Sequence, residues 1–139
     1  MIVPDLPYEE CQPVRETLDK CGLALIQLVT PVTPGERLRR LCEASRGFVY
    51  AVTVAGTTGG DAPEEDTLLA YLDRVRSSSS LPVLAGFGVR SGKQVRSIAK
   101  HADGVIVGSA LIEELERGVD PVLFLRELLG GAVERTANR

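Results

Sequence analysis

Short, almost uninterrupted apolar runs alternate with longer segments of mixed polarity from residue 2 to residue 129, and this alternation constrains the fold more than any other feature. A run that is apolar throughout suits a strand buried on both faces, the condition of a parallel sheet covered by helices. Five such runs are predicted as strands: 2–3, 23–29, 47–53, 81–85 and 102–107. Helices are predicted over 8–20, 34–44, 64–76, 91–100, 110–117 and 121–129, and in the fourth-strand approach Leu68, Leu69, Leu72 and Val75 fall on one helical face. Thr33 is read as an N-cap, and Asp120-Pro121 as an N-cap followed by proline at the first helical position. The four serines at 77–80 read as a solvated connector, and Gly130-Gly131 with the polar tail over 132–139 as a frayed, disordered end.

The expected fold is therefore α/β, one domain over residues 1–139, with five parallel strands and covering helices. The bulk numbers exclude several functions. A net charge of −3 and a pI near 5.2 argue against a nucleic-acid partner, which needs a basic face. No apolar run is long enough to cross a bilayer and no basic leader precedes the first one, so no membrane partner is expected and the chain is read as cytoplasmic. Cys11, Cys21 and Cys42 show no CxxC spacing and no histidine neighbours, and are read as reduced thiols packed on helices; no metal site is expected. His101, the only histidine, follows a helix, where a cation is favoured, and is read as a surface residue.

Three successive strands end in glycine: 56–60, 86–88, and Gly108-Ser109. In parallel β/α folds ligands bind at these C-terminal strand ends. Glycine lets the backbone approach a ligand, and a following helix start adds positive dipole, an arrangement suited to phosphate. Each loop alone is equally an ordinary tight turn; GFG and VGS on adjacent strands together favour a phosphate site. The one cation close to these loops is Arg90, so backbone amides are expected to do the binding. Phe87, between two glycines, is either a core ring or the wall of an apolar pocket. Tyr50 shares a strand face with Phe48 and Val52 and is either a satisfied core tyrosine or a polar contact near the mouth. Asp5 points into the mouth or, the commoner role, caps the helix behind it. No pair of carboxylates stands out as a general acid and base.

The segments IVPDLPYEE (2–10), GLALIQLVTPVTPGERL (22–38), GFVYAVTVAGTTGG (47–60), LPVLAGFGV (81–89) and ADGVIVGSALI (102–112) resemble the tryptophan synthase α chain family, in order and spacing. The resemblance covers strands four to eight of that family's (β/α)8 TIM barrel, its C-terminal half. It implies a lyase of tryptophan biosynthesis that cleaves indole-3-glycerol phosphate to indole and glyceraldehyde 3-phosphate by a retro-aldol step, without a cofactor. It also implies a β chain as partner.

Carried over by motif, the resemblance implies phosphate contacts at Gly59, Gly88, Gly108 and Ser109, and an indole pocket with Phe87, Ile2 and Leu28. Tyr50 matches a tyrosine beside the catalytic acid. Thr58 matches the threonine of a mobile loop that closes over substrate, and Thr57 stands where valine is usual. The family's glutamate and aspartate belong to the half that this sequence does not match. An incomplete barrel leaves sheet edges that invite pairing, and five strands doubled make ten, not eight. The chain thus reads as a fragment, a frame opened at an internal methionine, or a split-enzyme half served by a complementing N-terminal half. The alternative is a non-catalytic phosphate-binding half barrel stabilised by self-association.

Overall fold

The computed structural model describes residues 1–53, 65–86 and 88–130. Among these, four strands form one parallel sheet in sequential order: β1 (Gln27–Val29), β2 (Val49–Val52), β3 (Val83–Gly86) and β4 (Gly104–Ile106). The fifth predicted strand, at residues 2–3, is reduced to an isolated parallel bridge between Ile2 and Ile26. Pro4 follows at once and has no N–H to extend a ladder, so the pairing stops there. Sequential order in a parallel sheet requires a crossover between each pair, and helices supply it.

The helices are α1 (Cys11–Lys20), entered through a 3-10 turn at Tyr8–Glu10, α2 (Gly35–Ala44), α3 (Glu65–Ser78), α4 (Gly92–Ile98), α5 (Ser109–Glu116) and α6 (Pro121–Leu129). Asp120 caps α6 as its sequence implies, accepting from the N–H groups of Val122 at 2.7 Å and Leu123 at 3.4 Å. Thr33 does not cap α2. The residue before a proline is driven to extended backbone, the helix starts later, and its cap position is Pro34, which makes no side-chain cap bond. The Thr33 hydroxyl accepts instead from the Thr30 N–H at 2.9 Å inside the preceding turn. Nor are all four serines a connector: α3 runs through Ser78, and the hydroxyls of Ser77 and Ser78 donate to the Arg74 carbonyl. Cys11 and Cys42 are buried as expected, but Cys21 is exposed where α1 ends. Asp5 makes no cap, because neither the 3-10 turn nor α1 has a side-chain cap bond. The expectation of a disordered tail over 132–139 lies outside the described residues.

Alternation along the strands divides the sheet into two faces. Val29, Val49, Ala51, Val83 and Ala85 pack against Leu38, Cys42, Leu72 and Val75 of the covering helices, and all five are fully buried. The opposite face carries the register row Leu28, Tyr50, Leu84 and Gly104, with Val52, Gly86 and Ile106 beyond it. At the N-terminal edge of the sheet polar residues tie elements together. Asp103 Oδ2 accepts the Val83 N–H at 2.8 Å, and His101 Nδ1 lies 2.8 Å from Asp73 Oδ1. His101 therefore sits in a structural contact before β4, at the opposite end of that strand from Gly108. The C-terminal edge carries the turns at Gly88 after β3 and at Gly108 after β4.

Candidate functional site

Beyond the C-terminal ends of β3 and β4 lies a hollow of about 150 Å³ lined by Tyr50, Gly88, Val89, Ile106, Gly108 and Ser109. Four residues singled out in the sequence, Tyr50, Gly88, Gly108 and Ser109, thus meet in one place. Gly59, Thr58 and Phe87 fall outside the described residues. Leu28 is level with Tyr50 on the same face of the sheet, but it lines a separate hollow of about 300 Å³ together with Asp5, Tyr8 and Arg37. Ile2, 39% exposed on its isolated bridge, lines neither hollow.

Each wall has a local cause. Gly88 turns the chain at the end of β3 with φ of +77°, a left-handed conformation that favours glycine. The Gln94 side chain holds that turn by donating to the Gly88 carbonyl at 3.3 Å and accepting the Arg90 N–H at 2.8 Å. Gln94 also completes a capping box with Ser91 at the start of α4. On the next unit, α5 begins at Ser109 and its cap residue Gly108 has no side chain to offer. The Gly108 carbonyl accepts from Leu111 at 3.0 Å and Ile112 at 3.1 Å. The N–H groups of Ser109 and Ala110, in the first turn, precede any helical acceptor. Ser109 itself lines the hollow, which therefore lies at the positive end of the helix dipole.

Tyr50 closes the hollow toward the sheet. It is 7% exposed, and burial pushes its hydroxyl above the ordinary tyrosine value, so it stays protonated at neutral pH. Gly86 makes room for it. A Cβ there would lie 2.8 Å from Tyr50 Cε1 and closer still to Cζ and the hydroxyl oxygen, which no side chain tolerates. Thr53 braces the same point, its N–H and its hydroxyl both donating to the Gly86 carbonyl at 2.8 Å. The role of Gly86 under Tyr50 was hidden in sequence, because it needs β2 and β3 to be paired with Val52 opposite Gly86. The capping box was readable: S-x-x-Q before an apolar run signals a helix start.

The electrostatics are those of neutral amides. Arg90, the one nearby cation, does not line the hollow; its guanidinium is engaged in a two-pronged pair with Glu113. That arginine holds the Glu113 carboxyl below the ordinary range. None of the six lining residues is a carboxylate. Among the described residues no group of His, Cys, Asp and Glu is placed to hold a metal ion, and no helix is long and apolar enough to cross a membrane. The lining can receive a compact anion through amides and a serine hydroxyl, with an aromatic wall beside it.

The four-stranded parallel sheet with its covering helices corresponds to about half of the TIM barrel of solved tryptophan synthase alpha chains. The family model for the tryptophan synthase alpha chain matches residues 1–126, and the chain belongs to that family. It is 47% identical over 116 residues to the tryptophan synthase alpha chain of Bacillus thuringiensis (strain Al Hakam), covering 84% of this chain and 45% of that one. A tryptophan synthase structure from M. tuberculosis superimposes with a TM-score of 0.78 at 40% identity, over 94% of this chain and 49% of that one. Tryptophan synthase subunit alpha from Campylobacter jejuni does so with a TM-score of 0.74 at 33% identity, over 91% and 51%. The chain spans about half the length of the relatives it matches.

Proposed function

We propose that this chain is the phosphate- and indole-binding half of a tryptophan synthase α-type lyase, cleaving indole-3-glycerol phosphate to indole and glyceraldehyde 3-phosphate when the rest of the barrel is supplied. The observation that carries this reading is the gathering of Gly88, Gly108 and Ser109 on one hollow at the start of α5, beside Tyr50. In this reading the amides of Gly88, Gly108 and Ser109 bind the phosphate, joined by Gly59. Phe87, Leu28 and Ile2 flank the indole, and Thr58 belongs to a loop that closes over the substrate and keeps water from the reaction. Tyr50, neutral and held over Gly86, orients the site by donating a hydrogen bond next to the acid.

Retro-aldol cleavage needs a proton delivered to the indole ring and another removed from the glycerol chain. The carboxylate-free lining of the hollow supports the view that the glutamate and aspartate doing this come from the complementary half. An N-terminal half from a relative, carrying both carboxylates, mixed with this chain should release indole from indole-3-glycerol phosphate. No release with a half that is active beside its own C-terminal partner contradicts the reading. A β chain that takes up the indole is part of the same proposal.

One observation favours a second reading, a non-catalytic phosphate-binding half barrel that pairs with itself. Exposed large apolar side chains among the described residues include Met1, Ile2, Leu23 and Val32 in the segments next to β1, and Ile112, Leu115, Val122 and Leu123 on α5 and α6 after β4. Among the described residues the sheet has four strands and the Ile2–Ile26 bridge, so two copies carry eight strands besides the bridges, where ten strands are expected from sequence. Mass measurement in solution decides it: a monomer at all concentrations rules it out.

A further inference from the structure

The two loops that line the hollow belong to different β/α units, and a side-chain pair ties one to the other. Arg90, two residues beyond Gly88, donates from Nη1 to Glu113 Oε2 at 2.7 Å and from Nη2 to Glu113 Oε1 at 2.9 Å. Glu113 stands one helical turn after Ser109 on α5. Behind Arg90, the Gln94 carboxamide accepts the N–H groups of Arg90 at 2.8 Å and Ser91 at 3.1 Å and reaches back to the Gly88 carbonyl. A continuous line of contacts therefore runs from the Gly88 turn through Arg90 and Glu113 to the start of α5.

We infer that Arg90 and Glu113 are positioning residues of the hollow, a two-pronged clamp that holds the Gly88 turn and the start of α5 at the spacing one phosphate monoester needs. The inference rests on the phosphate reading above and deepens it. An amide-built anion site gains affinity only if its donors are already in place when the ligand arrives. The pair is exposed, and single exposed ion pairs contribute little; the bidentate arginine–carboxylate geometry is the exception in which position is well defined. Glu113 also cancels the charge of Arg90, so the clamp adds geometry to the site without adding net charge.

Opposite signs separate this from a direct electrostatic role. If Arg90 merely attracted the anion, R90A would weaken binding, whereas E113A, by freeing a cation, would tighten it. A clamp predicts that both weaken it, roughly two- to fivefold, the range such pairs support. R90K should fall in between, because lysine cannot make the two-pronged contact, and the swapped pair R90E/E113R should return toward the parent affinity. The test is titration of each variant with glycerol 3-phosphate, alongside thermal melts to show that affinity does not simply follow stability. In parallel, 15N relaxation on the ligand-free protein reads the order of the Gly88 and Ser109 amides. The clamp predicts lower order in R90A and E113A and recovery in the swap. Tighter binding by E113A, or amide order unchanged in both single variants, overturns it. A parent chain that does not bind glycerol 3-phosphate overturns the phosphate reading, and the relaxation data then decide the clamp.

Discussion

The two faces of the sheet are built on different principles. On the helix side Val29, Val49, Ala51, Val83 and Ala85 have no accessible surface, and small and β-branched residues fit against Leu38, Leu72 and Val75. On the other side Leu28, Val52, Leu84 and Ile106 are only half-buried, and two positions are glycine. The sealed face provides the cohesion of the fold. The open face carries Tyr50 and Gly86 and leads to the hollow; in a closed TIM barrel this face is packed interior, and the chain spans about half of its relatives' length. The same four strands thus hold stability on the helix side and present the proposed site at their C-terminal ends, as in barrels whose ligands bind at strand ends.

Paired truncations sharpen this contrast most. Leu72→Ala, which empties a fully buried position, should lower unfolding free energy by about 2–5 kcal/mol in urea titrations. Leu84→Ala on the open face should cost about 1 kcal/mol, because part of its surface is already wet. Equal losses would mean that the open face is as tightly packed as the sealed one.

Next in size is the contact between Gly86 and Tyr50. Gly86→Ala drives a Cβ into the hydroxyl end of the Tyr50 side chain and should cost about 1–3 kcal/mol as overpacking. It should also displace Tyr50 from the hollow. Removing the ring relieves the clash, so Gly86→Ala combined with Tyr50→Ala should cost less than the two single changes summed, a coupling of at least about 0.5 kcal/mol. Strict additivity would contradict the packing described.

Tyr71 tests how the sealed face is tied to the edge strand. Its hydroxyl donates to the Val29 carbonyl at 2.8 Å, and Tyr71→Phe removes that buried hydrogen bond, for about 0.5–1.5 kcal/mol. Burial raises the Tyr71 hydroxyl far above its ordinary value of 10.0. The unfolded chain therefore ionises first, and this contribution is intact below about pH 10 and lost as pH rises beyond it. Tyr71→Phe should flatten the alkaline loss of stability. The smallest effect is expected at the rim: Asp120→Ala removes the α6 cap and should cost about 1 kcal/mol without changing ligand binding.

Features decided by neighbours in sequence were legible. Asp120-Pro121 announces the start of α6, and the glycine-ended strands place the hollow, because strand ends and helix starts are local events. Where a proline or a hydroxyl competed for the backbone, local reading failed. Pro4 cut the first strand to a bridge, Thr33 spent its oxygen on Thr30, and Ser77 and Ser78 found the Arg74 carbonyl and extended α3. Contacts set by register or by packing between units left no local trace. Tyr50 over Gly86 and Arg90 with Glu113 depend on partners 36 and 23 positions away, and only the assembled sheet brings them together.

The central claim is that the open face ends in a phosphate site made of backbone amides. It is tested most directly by following the amide resonances of the chain while glycerol 3-phosphate is added, with glycerol as control. The account predicts saturable shifts at Gly88, Gly108 and Ser109 with the phosphate ester and none with glycerol, while His101 at the far end of the sheet stays still. Shifts scattered over surface arginines, or none at these three residues, would contradict it.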